Sequence, residues 1–235
     1  MNLYSSLSNA GSIVKVNSFI RSVYNWMAIG LVLTAVTAFF VVNNNTLVQI
    51  IFGNPMIFFG MIIGELGLVF FLSSRIQKIQ ASTATMLFLL YSLLNGATLS
   101  CVFLRYTSSS IVSTFFICAL TFLVCSIYGM VTKRDLTSMG GFMIMGLFGI
   151  IIATVVNMFL QSTVMTALIS YVGVIVFVGL TAYDTQKLKQ MAINQPDGAS
   201  GSMVRKGAIM GALTLYLDFI NLFIMLLHIF GVSRD

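Results

Sequence analysis

Long apolar runs separated by short polar breaks make up almost the whole chain. A helix needs about 20 apolar residues to cross the hydrocarbon core of a bilayer. Seven stretches qualify: residues 25–42, 55–72, 81–104, 111–131, 136–160, 164–184 and 207–230. The fifth and sixth come from one continuous segment. No charged residue lies between Leu136 and Tyr183, a length too great for one crossing, and Gln161-Ser162-Thr163 supplies the turn. Open strands would leave unpaired backbone groups in lipid, so the spans must be helices. The pattern predicts an all-α integral membrane protein: a cytoplasmic segment over 1–24, one seven-helix domain over 25–230 and a short tail over 231–235. The only long connection, Thr185 to Lys206, contains Gln195-Pro196-Asp197-Gly198 and reads as a flexible loop.

Composition agrees. Hydrophobic residues make up 58% of the 235 positions and charged ones only 8%, against roughly 25% charged in a soluble domain. The net charge of +6 would suit nucleic acid if the cations formed a patch, but they cluster at span ends, which excludes that class. Lys15, Arg21, Arg75, Lys78, Lys133, Arg134, Lys187, Lys189, Arg205 and Lys206 fall on one side of a seven-span topology, and Arg105 and Arg234 on the other. That asymmetry puts the N-terminus in the cytoplasm and the C-terminus outside. The first apolar run follows Lys15 and Arg21 as in a signal peptide, but it lacks a small-residue cleavage site and reads as a retained span. Cys101, Cys118 and Cys125 lie in spans as small hydrophobes. Glycines at helix-contact spacing, such as Gly60 and Gly64 or Gly207 and Gly211, suggest close helix packing.

The candidate chemistry lies in the acids. Asp218 is in the middle of the last span, where an ionisable group is costly and marks function by default. Gly207, Gly211, Thr214, Asp218 and Asn221 share one helical face. A small and polar stripe in lipid must face protein or water, so the seventh helix is expected to be enclosed by the others, with Thr214 and Asn221 either lining a cavity or bridging helices. Asp184 closes the sixth span. Asp218 lies about 16 Å into the next, at 1.5 Å per residue, so contact requires a longer sixth helix. Two such carboxylates in contact would share a proton and titrate as a unit. Ionised, they would attract a hard cation such as calcium. Alone, Asp184 reads equally as an interfacial carboxylate beside Lys187. Glu65 in the second span is a path or bridging candidate, and Arg75 is either a counter-ion for Asp184 or a topology charge. His228 reads as a snorkelling interfacial residue, and Tyr24 and Trp26 as a headgroup belt.

Three segments carry a resemblance: Phe19-Ile20-Arg21-Ser22-Val23-Tyr24-Asn25-Trp26, Thr181-Ala182-Tyr183-Asp184-Thr185-Gln186, and Leu213-Thr214-Leu215-Tyr216-Leu217-Asp218-Phe219-Ile220-Asn221. In this order the chain resembles the transmembrane Bax inhibitor motif family, particularly its bacterial branch, over nearly its full length. The resemblance implies six helices around a seventh and a pH-sensitive calcium leak governed by an aspartate pair, which falls on Asp184 and Asp218. It places a second-helix arginine that can pair with the first aspartate on Arg75, and a second-helix acid on Glu65. It implies calcium as the permeating ion and a membrane protease as a partner of some bacterial members; the residues themselves give no sign of a tightly bound cofactor. The absence of a lysine-rich C-terminal tail favours a bacterial plasma membrane over an organelle.

Other classes compete. Intramembrane aspartyl proteases also place Tyr-Asp and Asp on successive spans, and Tyr183-Asp184 matches. Their second element reads Gly-x-Gly-Asp, whereas this chain has Leu215-Tyr216-Leu217-Asp218, and their Pro-Ala-Leu element is missing. An enzyme is therefore not expected. A proton-coupled cation transporter uses the same acids, although no inverted repeat is visible. A non-transporting regulator of a protease or of a stress or cell-death pathway would need no flux at all.

Overall fold

The computed structural model describes residues 3–196 and 198–234, with side chains from residue 14 onward. Its regular elements are helices, α1 (Leu3–Val42), α2 (Asn45–Phe52), α3 (Pro55–Arg75), α4 (Ala81–Leu99), α5 (Cys101–Arg105), α6 (Ser108–Val131), α7 (Thr137–Leu160), α8 (Thr163–Ile193) and α9 (Gly201–Phe230). Among the described residues, seven spans are long and apolar enough to cross a bilayer, with α4 and α5 together forming the third. The all-α membrane architecture is as the apolar pattern predicts.

The boundaries differ in three places. Helix α1 begins far ahead of the expected residue 25. Val16, Phe19, Ile20, Val23 and Met27 recur at helical spacing and are buried, so this charged segment is an amphipathic extension of the first span. Helix α8 continues nine residues past the expected end at Asp184, and α9 begins at Gly201. The long 185–206 loop therefore shrinks to a short connection after Ile193. Leu188 and Ala192 are buried, and that apolar stripe carries the helix on despite Lys187 and Lys189. The third difference is α2, a short helix between the first two spans. Asn44 caps it by accepting from the Thr46 and Leu47 amides, and Asn54 followed by Pro55 opens α3 in the same manner.

The chain divides into two compact units, Met1–Arg105 with Gln190–Leu213, and Tyr106–Lys189 with Thr214–Asp235. In the first, α4 packs on α1 and α3. Gly96 lets α1 approach, since a Cβ there would strike the Thr34 backbone, and the Thr34 hydroxyl donates to the Ser92 carbonyl at 2.9 Å. Lys206 closes the far end of α3, donating to the Gln77 and Ile79 carbonyls at 3.0 and 3.3 Å. Arg205 stacks over Trp26 at 5.6 Å. Among the described residues, Gly60 and Gly64 have no atom from beyond their own stretch of helix within 4 Å of where a Cβ would be, so this pair does not make the helix contact within the chain that its spacing suggested.

In the second unit α6, α7, α8 and the C-terminal part of α9 pack together. Gly129 of α6 lies against the Ala182 carbonyl of α8, and Gly140 of α7 against the Tyr183 ring. Phe115 and Phe122 of α6 meet Phe219 edge-on at 5.6 and 5.5 Å between centroids. The tail is tied down where the Thr107 amide donates to the Val232 carbonyl at 2.9 Å. Burial separates the spans: 56% of the α9 window is buried but only 6% of the α7 window. The outer face of α7, with Phe142, Met145, Phe148 and Phe159, is exposed and apolar, as a lipid-facing surface must be.

Candidate functional site

Asp184 and Asp218 meet in the second unit. The extension of α8 decides this: Asp184 lies within a continuous helix and its side chain reaches that of Asp218 on α9 within hydrogen-bonding range. Asp218 is 5% exposed. Its second oxygen, Oδ2, is buried without a hydrogen-bond partner. Carboxylates this close hold a proton or a cation between them, because two bare negative charges in low dielectric repel. An unpartnered buried oxygen costs about 1–3 kcal/mol and is a place for a further ligand. Lys187, one turn along α8, is near enough to attract the Asp184 charge and also lies 5.9 Å from the Tyr183 ring centroid.

Side chains of α6 meet the residues next to the pair. The Cys118 thiol lies 3.6 Å from the Phe219 carbonyl, and Thr185, beside Asp184, donates to Ser126 at 3.4 Å. The next residue, Gln186, is buried. Its Oε1 accepts from the Leu136 amide at 2.9 Å and its Nε2 donates to the Arg134 carbonyl at 2.8 Å. Lys189 donates to the Met130 carbonyl at the end of α6, a cation at a helix C-terminus. In the same corner Asp135 accepts from the Thr137 hydroxyl at 2.6 Å and its amide at 2.9 Å. Those bonds, the hydroxyl first, hold its carboxyl below the usual carboxylate range.

Of the remaining candidates, two belong to the first unit and three lie on α9. Glu65 is buried in the first unit, where Asn95 Nδ2 donates to Oε2 at 3.0 Å and Thr98 Oγ1 to Oε1 at 2.8 Å. Arg75 is exposed in the last turn of α3, also in the first unit. Thr214 is half-buried on α9. Asn221 donates to the Leu217 carbonyl of its own helix at 2.8 Å. His228 is exposed, with Nδ1 3.4 Å from the Ser170 hydroxyl. Among the described residues, no three of the His, Cys, Asp or Glu type come together as metal ligands.

Sequence reasoning missed Asn95, Thr98, Ser126 and Gln186. A signal existed for the first two: Tyr91, Asn95 and Thr98 recur at helical spacing on the third span, and all three are buried. Gln186 lay inside a segment already quoted, but its partners are some 50 residues away.

Fold and site together define a polytopic α-helical membrane protein with a carboxylate pair held between two of its helices. The family described as "Inhibitor of apoptosis-promoting Bax1" matches residues 16–235, and the chain belongs to that family. It is 50% identical to the inner membrane protein YbhL of Escherichia coli K12, covering 93% of each chain. It is 48% identical to an uncharacterized protein of Borreliella burgdorferi, covering 93% of this chain and 94% of the relative. An uncharacterized protein of Rickettsia prowazekii is 42% identical, covering 92% and 90%.

Proposed function

We propose that this protein is a calcium leak channel gated by protonation of Asp184 and Asp218. The observation that carries this reading is the Asp184–Asp218 contact with one Asp218 oxygen buried and unpartnered. A proton shared by the pair removes one of its two charges, bridges the carboxylates and lets the helices stay closed on each other. Its loss leaves two charges that repel and that draw in a hard cation. Calcium bound tightly takes roughly six to eight oxygens, and two carboxylates are too few for residence but suited to passage. Both residues are gating groups and transient ligands. Glu65, with each oxygen already accepting a hydrogen bond, acts as a bridge between α3 and α4. Thr214 and Asn221 flank the gate, and Arg75 is a counter-ion candidate.

The chemistry is ion passage without an enzymatic step and without a bound cofactor. The relative's description as an inner membrane protein supports the same membrane here, and the cation asymmetry supports a cytoplasmic N-terminus. The test is calcium flux into proteoliposomes from about pH 6 to 8, the range into which burial moves carboxyls, for the wild type, Asp184→Asn and Asp218→Asn. A protein-dependent flux whose pH response disappears in both variants is expected. Flux no greater than that of empty vesicles, with the protein folded and inserted, would overturn the channel and favour a non-transporting regulator of a membrane protease. Saturable counterflow would favour a proton-coupled transporter.

A further inference from the structure

One turn of α8 does two jobs. Asp184 faces Asp218, while its neighbours on both sides are fastened to α6, α7 and the corner joining them. The Ala182 carbonyl abuts Gly129, where no side chain fits, and the Tyr183 ring covers Gly140. Thr185 bonds Ser126, and Lys189 bonds Met130. Gln186 makes the most specific contact. Its amide holds the corner at two backbone positions, accepting from Leu136 and donating to Arg134. Leu136 is the buried N-cap residue of α7, so Gln186 satisfies from a distance an amide for which the helix itself supplies no partner.

We infer that Gln186 is a positioning residue for the carboxylate pair, and that through it the pair is mechanically joined to the cytoplasmic corner 132–136. A primary amide is the one neutral side chain of this length that donates and accepts at once, so these two bonds fix both the rotation and the height of α8. Successive helical residues are turned by about 100°, which sends the side chains of Gln186 and Asp184 in different directions from one rigid turn. When the pair changes charge and α8 shifts, the corner must move with it or release the amide. The charged groups on the surrounding elements of this unit are Asp218 on α9, Lys187 and Lys189 on α8, and Lys133, Arg134 and Asp135 on the corner. Gln186 is neutral, so the effect of a neutral replacement on the titration acts through position, whereas a glutamate there would add a charge of its own.

This inference rests on the proposed gate for its consequence in flux, but the joint itself is read independently. Two variants are made, Gln186→Met, which keeps the length and removes both bonds, and Gln186→Glu, which keeps only the acceptor. Calcium flux is recorded against pH. Hydrogen exchange of the Leu136 amide is followed over the same pH range in both variants, in the wild type and in Asp218→Asn. The expected flux result is a midpoint displaced by on the order of one pH unit in Gln186→Met, consistent with one or two hydrogen bonds expressed in pH units; Gln186→Glu, whose added charge acts on the pair directly, is read by exchange alone, with the Leu136 amide still protected. Wild-type pH response in a folded Gln186→Met protein overturns the inference. The exchange result decides if the wild type carries no flux. Protection at Leu136 that varies with pH in the wild type, and no longer does so in Asp218→Asn, supports the joint. Protection independent of pH in the wild type overturns it, whatever the fate of the channel.

Discussion

Replacing Gly129 by alanine opposes two effects of known size at one position. In an exposed helix interior this change gains about 1 kcal/mol, because glycine loses more backbone freedom on folding. At Gly129 the added Cβ would lie well inside van der Waals contact with the Ala182 carbonyl oxygen and 3.1 Å from the Thr185 Cβ. The first obstacle is backbone, so relief requires α8 to move away from α6. Overpacking of this kind costs about 1–3 kcal/mol, and the Thr185–Ser126 and Lys189–Met130 bonds stretch with it. The net expectation is a loss of on the order of 1 kcal/mol for Gly129→Ala. Gly141 provides the comparison, because a Cβ there meets no atom within 4 Å. Gly141→Ala should therefore gain up to about 1 kcal/mol. With about 2–4 °C per kcal/mol for a chain of this size, the two variants should differ by roughly 4–8 °C. Thermal denaturation in detergent, followed by loss of the monodisperse chromatographic peak, measures the difference. A Gly129→Ala protein as stable as Gly141→Ala would refute the close approach of α6 and α8, and the placement of Asp184 that depends on it.

Two further predictions concern polar contacts. Asn95→Leu removes a donor from buried Glu65, which should cost about 1–3 kcal/mol; Glu65→Leu added to it should restore part of the loss, because an apolar pair leaves less charge uncompensated. A double variant no more stable than the single one would show that Glu65 draws little from Asn95. Asp135 is exposed and its folded carboxyl titrates below the ordinary value, so its contribution is complete above about pH 4 and lost as pH falls through the lower folded value. Thermal stability should then decline with acid more steeply in the wild type than in Asp135→Asn, and equal slopes would refute a role for the charge.

The residues explain what could be read early. The span count and the turn at Gln161 were legible because lipid imposes a length rule on local stretches of chain, and because a carboxylate amid apolar residues stands out without any knowledge of its neighbours. Asp218 was marked in that way. The end of α8 was not legible: Lys187 and Lys189 looked like a boundary, while the apolar stripe of Leu188 and Ala192 only has meaning once there is protein for it to pack on. The same limit applies to the glycines. Gly129 and Gly141 are alike in sequence, yet one meets a carbonyl and the other open space. By itself the sequence determined a seven-span helical membrane protein, its family and the two acids worth watching, since hydrophobicity and motif are properties of the chain alone. The tertiary structure alone decided that Asp184 and Asp218 touch, that Glu65 is satisfied by Asn95 and Thr98, and that Gln186 holds a corner some 50 residues away. Contact between remote residues depends on how helices are rotated and staggered against one another, and no local stretch of sequence encodes that.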